Sequence, residues 1–171
     1  MMDDVLVLLE SEIPRLRRYA RYLVRDVDMA DDLVQEALVR ALSNLDTWQH
    51  GTNLRSWLFV ILRNVYINEL RRARSQPQSS ELQPNDLALG VQGAQEWRQA
   101  VVEMEKAFSS LSSEHKDVLY LVAVEGLEYE EAAVVLDIPV GTVRSRLSLA
   151  RLAQRNFMHP VAGEPGGQRA C

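Results

Sequence analysis

Pro139 lies between two stretches that each carry apolar residues at helical spacing, and a residue without a backbone N–H cannot sit cheaply inside a helix. The chain must therefore turn there. Upstream, Tyr129–Leu136 keeps Ala132, Ala133 and Leu136 on one face. The turn is Asp137-Ile138-Pro139-Val140, and the second helix is expected to begin near Gly141-Thr142, with the Thr142 hydroxyl capping free amides and Val143, Leu147 and Ala150 facing inward. From Gly141 to Phe157 there are four arginines (Arg144, Arg146, Arg151, Arg155) and no carboxylate, in a chain whose formal net charge is -5. Two helices with a tight turn, the second basic on its outer face, have the layout of a reader of the DNA groove. A solvated basic face on an ordinary helical hairpin fits the same residues, so the rest of the chain decides.

Earlier in the chain, Leu16, Ala20 and Leu23 give a helix over residues 15–25, entered through Pro14, which a first turn tolerates. A second helix is expected from about Asp28 as N-cap, with Ala30, Leu33, Val34, Ala37, Leu38, Ala41 and Leu42 as its apolar stripe. Asp31, Asp32, Gln35 and Glu36 are left for a partner. A polar loop, 45–53, holds Trp48. A third helix, Leu54 to about Arg74, points Leu54, Trp57, Leu58, Ile61 and Val65 one way. Arg55, Phe59, Arg63, Tyr66, Arg71, Arg72 and Arg74 occupy the remaining surface. Interleaved aromatic and basic side chains suit unpaired strand, whose bases stack on rings while guanidinium groups hold phosphates; for Phe59 or Tyr66 taken singly, core is the commoner reading.

After Arg74 the composition turns to Ser, Gln, Pro and Gly without a basic residue, which reads as a flexible linker over 75–96 with Leu82, Leu87, Leu89 and Val91 able to dock. A helix with Trp97, Val101, Met104 and Phe108 in phase follows. Ser112 or Ser113 then caps another that carries Val118, Leu119, Val122 and Ala123 and ends at Gly126. The expected fold is all-α: two small helical modules, 1–74 and 97–158, a linker between them and a flexible tail at 159–171. The first module is charge-neutral and the acidic excess falls in the linker and second module, so the chain alone is expected to bind DNA weakly.

Composition removes several classes. No apolar run approaches the ~20 residues of a membrane span, and Asp3 and Asp4 stand where a secretory signal carries positive charge, so a cytoplasmic protein is expected. Cys171 is the only cysteine, and His50, His115 and His159 lack ligand spacing, so no metal, cofactor or catalytic constellation is expected.

Four blocks now become specific: Asp31-Asp32-Leu33-Val34-Gln35-Glu36-Ala37-Leu38, the run Gly51 to Asn64, Gly126 to Ala133, and Pro139 to Ser148. In that order they resemble the extracytoplasmic-function sigma factors of bacterial RNA polymerase. Thr52-Asn53-Leu54-Arg55 and Ile67-Asn68-Glu69-Leu70-Arg71-Arg72 look most like the general-stress branch of alphaproteobacteria, in which an anti-sigma protein is released by a sigma-mimicking response regulator. The resemblance implies a sigma-2 domain whose second helix docks on the largest polymerase subunit through Asp32, Gln35 and Glu36. The third helix would open and read the minus-10 element, with Asn64 matching the melting asparagine and Trp48 in the loop that receives a flipped base; Arg63, Tyr66, Arg71 and Arg72 share that helix. A sigma-4 domain would follow. In it Arg144, Ser145, Ser148 and Leu149 match positions facing the minus-35 element, with Arg146 and Arg151 on the same basic helix. Core RNA polymerase, promoter DNA and an anti-sigma factor are the implied partners, with no enzymatic activity and no small-molecule substrate.

Two residues depart from the family pattern. Leu149 stands where many relatives have arginine, and Glu128 where they have serine, which is expected to remove an N-cap worth ~1 kcal/mol. The competing reading is a sigma mimic that sequesters an anti-sigma protein; such mimics carry a phospho-receiver domain, for which the sequence leaves no space after residue 158. A helix-turn-helix repressor would need a dimerisation element or effector pocket, and neither is visible.

Overall fold

The computed structural model describes residues 2–75, 106 and 108–158, and among them every regular element is helical. Helix α1 spans Met2–Leu23, α2 Val27–Ser43, α3 Leu54–Ser75, α4 Ser113–Leu119, α5 Tyr129–Leu136 and α6 Val140–Met158. The expected 75–96 linker, the 159–171 tail and the residues Trp97, Val101 and Met104 lie outside the described residues.

Pro14 does not open the first helix but sits inside it. An interior proline costs ~3 kcal/mol, because the carbonyl four residues back loses its donor and meets the ring. Val5 and Leu9 extend the stripe of Leu16, Tyr19, Ala20 and Leu23 by two turns, and all six are buried. Burying two such side chains contributes about 3–6 kcal/mol, enough to carry the helix through. The cap of α2 is Asp26 rather than Asp28: its carboxylate accepts from the Met29 amide at 2.9 Å. Ala30, Leu33, Val34, Ala37 and Ala41 are buried as expected, Leu38 packs against them, and Leu42 in the last turn is exposed.

A short 3-10 turn, Leu45–Thr47, then carries Trp48 down into the core, 8% exposed, with its ring 4.8 Å from that of His50. On α3, Leu54, Leu58, Leu62 and Val65 face α1 and α2. Phe59, readable as surface or as core, is fully buried, with its ring stacked on Tyr19 of α1 at 4.7 Å.

The second module turns sharply twice. Helix α4 follows Ser112 as N-cap and runs into a wide π-type turn, Tyr120–Val124, where the Glu125 amide reaches back to the Tyr120 carbonyl (3.1 Å). Gly126 adopts φ +69, which side chains resist, and the Leu127 amide closes the turn on the Leu121 carbonyl at 3.0 Å. Helix α5 ends at Asp137 in the left-handed region (φ 54), with the Ile138 amide on the Ala133 carbonyl at 3.1 Å, a Schellman closure. Helix α6 begins at Val140, directly after Pro139, so Thr142 is not its cap; the Thr142 and Val143 amides both donate to the Pro139 carbonyl. Val143, Leu147 and Ala150 are buried, as the pattern predicts.

The two modules share one buried core. Helix α5 packs along α3, and four aromatic rings join the halves: Tyr19 and Tyr22 of α1, Phe59 of α3 and Tyr120 of the π turn. Tyr22 stacks on Tyr120 at 4.0 Å between centroids, and Tyr19 on Phe59 at 4.7 Å. Such offset stacks contribute about 0.5–1.5 kcal/mol each beyond their buried area.

Candidate nucleic-acid and polymerase interface

The register of α6 sorts its residues by side. With Val143, Leu147 and Ala150 inward, Arg144, Ser145, Ser148, Leu149 and Arg151 all fall outward and are exposed. Leu149 is 54% exposed, which for a leucine on a polar face leaves apolar surface ready for a partner. The basic face is partly answered by neighbouring helices. Arg146 pairs with Glu114 of α4 at 2.8 Å, and Arg144 lies 3.6 Å from Glu130 of α5, both ends of that pair being largely in solvent. The exposed Arg144–Glu130 pair holds its side chains weakly and releases the arginine readily to a phosphate or a base edge, whereas Arg146 is half-buried and more firmly held.

Glu128, expected to leave α5 uncapped, does not. It is the N-cap residue in extended geometry, and the Glu131 carboxylate accepts from its amide at 2.9 Å as part of a capping box. The departure from serine is compensated by the acid three residues on.

In the first module, Asp32, Gln35 and Glu36 share the exposed side of α2, with Glu36 also accepting from Arg40 at 2.7 Å. A groove of about 390 Å³ opens between α2 and α3, lined in part by Asp32, Glu36, Leu33, Val65, Tyr66 and Arg72. The structure thus brings two of the expected polymerase contacts beside two residues of the expected minus-10 helix. Asn64 and Arg71 are exposed on α3 outside this groove, and Arg72 pairs with Glu69 (2.7 Å). Trp48 does not join them on the surface; it is buried, and its indole Nε1 has no hydrogen-bond partner.

Arg63 is only partly exposed and faces the other module, donating to Asp117 of α4 at 3.2 Å. Burial works to lower its pKa, but Tyr19 and Asp117 outweigh it and hold the guanidinium more firmly charged. Asp117 also accepts from the Tyr22 hydroxyl at 2.8 Å. Burial, then the Asp117 charge, pushes the Tyr22 phenol well up.

A second cross-module cluster centres on Glu125, whose side chain is wholly buried. Arg18 of α1 grips its two oxygens with bonds of 2.8 Å each, and the Tyr120 hydroxyl donates at 2.9 Å. Arg55 reaches the Glu125 carbonyl at 3.2 Å while its Nε donates to Glu12 at 2.8 Å. Asn53, just before α3, donates to Glu131 at 2.7 Å. None of these pairs follows from helical periodicity. The one signal was a lone acid in the apolar run Leu121-Val122-Ala123-Val124-Glu125-Gly126-Leu127.

Among known families, Sigma-70 region 2 matches residues 8–76 and Sigma-70, region 4 matches residues 102–153. The ECF RNA polymerase sigma factor EcfG of Rhodopseudomonas palustris (strain TIE-1) is 37% identical over 151 residues, which cover 88% of this chain and 81% of that one. The chain belongs to the extracytoplasmic-function sigma factors of bacterial RNA polymerase. The ECF RNA polymerase sigma factor SigC of Mycobacterium tuberculosis is 35% identical over 135 residues, 78% of this sigma factor and 72% of its own length. In three dimensions the fold is similar to the sigma factor RpoE solved in complex with the anti-sigma factor NepR from Bartonella quintana, with a TM-score of 0.69, 29% identity, and coverage of 93% and 98%. The three helices α1–α3 are thus the region 2 unit of this sigma factor, and α4–α6 its region 4 unit, with α5 and α6 as the helix-turn-helix. No helix among the described residues is long and apolar enough to cross a membrane, and no group of His, Cys, Asp and Glu among them is placed to hold a metal.

Proposed function

We propose that this sigma factor directs core RNA polymerase to stress-response promoters by binding alone, without catalysis, in the cytoplasm where polymerase works. The module at 1–74 docks on polymerase through Asp32, Gln35 and Glu36 and opens the minus-10 element with α3. Asn64 acts in melting there, and Arg63, Tyr66, Arg71 and Arg72 hold the strand. The module at 97–158 reads the minus-35 element through Arg144, Ser145, Ser148 and Leu149, with Arg146 and Arg151 on phosphates. An anti-sigma factor of the kind seen with RpoE of B. quintana restrains it. The observation carrying this reading is the outward row of Arg144, Ser145, Ser148 and Leu149 on a helix-turn-helix whose inward row is fully buried. Transcription with purified core polymerase tests it. Asn64→Ala should lose more activity on duplex promoters than on templates carrying a pre-opened bubble. Equal loss on both would refute a melting role.

A further inference from the structure

We propose that the Arg18–Glu125 pair is a latch that holds the two modules of the free sigma factor closed, in an arrangement that cannot engage a promoter. The inference rests on the reading that α3 and α6 meet separate promoter elements at the same time.

The geometry sets the conflict. Elements about 25 base pairs apart are about 85 Å apart along the duplex at ~3.4 Å per pair. A compact helical unit of this size is only roughly 35 Å across. In the closed form α5 lies along α3, Arg63 is taken by Asp117, and Asn53 at the head of α3 is taken by Glu131. The cations and amides of the first module that would face nucleic acid are thus partly spent on the second module.

The chemistry of the join suits a switch rather than a permanent core. Glu125 is fully buried, and its charge is balanced across the join by Arg18, which is itself half in solvent, with Tyr120 from its own side adding a hydroxyl. Donating to Glu125 raises the Arg18 pKa and keeps the guanidinium charged, and the burial of its partner shields the pair from screening by salt. Opening returns both charges to water, which offsets part of their attraction and keeps the latch releasable. Removing Arg18 alone, by contrast, strands a carboxylate in an apolar join and drives the modules apart. A chain that must open before binding loses apparent affinity in proportion to its open fraction.

The test uses full-length chain with Cys171→Ser and dyes at Ser43→Cys and Val134→Cys, both exposed and one in each module. Free protein should show high energy transfer, which falls on binding core polymerase. Arg18→Met should show low transfer without polymerase, unchanged helicity, and at least tenfold tighter polymerase binding. Asn53→Asp serves as the second variant, because it keeps the oxygen that caps the Arg55 amide while setting a carboxylate against Glu131; transfer should fall, with the closed population reduced up to about fivefold. Low transfer in the free wild-type chain, or high transfer in both variants, would overturn the latch. An Arg18→Met chain that opens but binds polymerase no better than wild type would overturn its inhibitory role. Failure of every chain to bind polymerase, with the transfer changes intact, would instead count against the sigma-factor reading and leave the latch standing.

Discussion

Arg63 of α3 and Asp117 of α4 meet at 3.2 Å across the two modules, and the same carboxylate takes the Tyr22 hydroxyl at 2.8 Å. A side chain from the expected DNA-facing helix is therefore also a structural cation. Its two roles exclude each other in time, because a guanidinium packed on Asp117 is not available to a phosphate.

Replacing Asp117 with alanine removes the acceptor that Arg63 and the part-buried Tyr22 hydroxyl share. Hydrogen bonds to a charged group are worth about 1.5–3 kcal/mol, so the variant should unfold in urea with stability lower by about 2 kcal/mol. In a double-mutant cycle with Arg63→Met, the two losses should fall short of additivity. Additive losses would mean that the contact contributes nothing.

The stacked tyrosines predict an alkaline limit. Burial pushes the Tyr19 phenol up to about 12, with Arg63 offsetting only part of the effect, and burial followed by Glu125 pushes Tyr120 further. The folded chain keeps protons that the unfolded chain releases above about pH 10. The unfolded state binds fewer protons there, so stability falls as pH rises, by up to about 1.4 kcal/mol per pH unit for each tyrosine. It is fully present below pH ~10 and is lost as pH climbs through the folded values. Urea midpoints measured across that window check the slope. Tyr19→Phe should flatten it without loss of stability at neutral pH, since the Tyr19 hydroxyl has no hydrogen bond of good geometry to lose.

The groove between α2 and α3 predicts a charge-sensitive dock. Asp32→Lys with Glu36→Lys reverses two exposed carboxylates on its rim and should weaken binding to core polymerase while leaving circular dichroism unchanged. Helicity is spared because neither side chain contributes to the buried stripe. Undiminished binding by the double variant would remove this surface from the docking site.

What was legible in the residues was whatever period and local turn chemistry control. The inward rows of α2 and α6 follow from the 3.6-residue repeat, and Gly126 marks a stop because its φ is positive. Pro14 misled, since one residue's local preference was outweighed by the burial of Val5 and Leu9 further up the same helix. Phe59 was ambiguous for a different reason. Its ring is covered by Tyr19 of another helix, α1, and no pattern local to α3 carries that pairing. The Glu125 cluster was hidden for the same reason, since Arg18 and Glu125 are 107 residues apart.

The recognition helix offers the sharpest test, because the structure places the relevant side chains in two adjacent rows. Arg144 and Ser148 are four apart, as are Ser145 and Leu149, and all four are exposed. Arg144 is held only by a 3.6 Å contact with Glu130 in solvent, so it is free to make bidentate bonds to a base at negligible cost. Each such pair discriminates by roughly 1–3 kcal/mol, so Arg144→Ala should lower transcription from the native promoter about 5- to 150-fold. Glu130→Gln, which loosens the same arginine without touching DNA, should leave that activity nearly unchanged. Leu149, without a donor, contributes apolar contact such as a thymine methyl, and Leu149→Arg should therefore shift the preferred minus-35 sequence toward guanine rather than raise activity overall. Promoters selected from a random library with wild type and with Leu149→Arg distinguish the cases. Identical minus-35 preferences in the two selections would show that this face of α6 does not read bases.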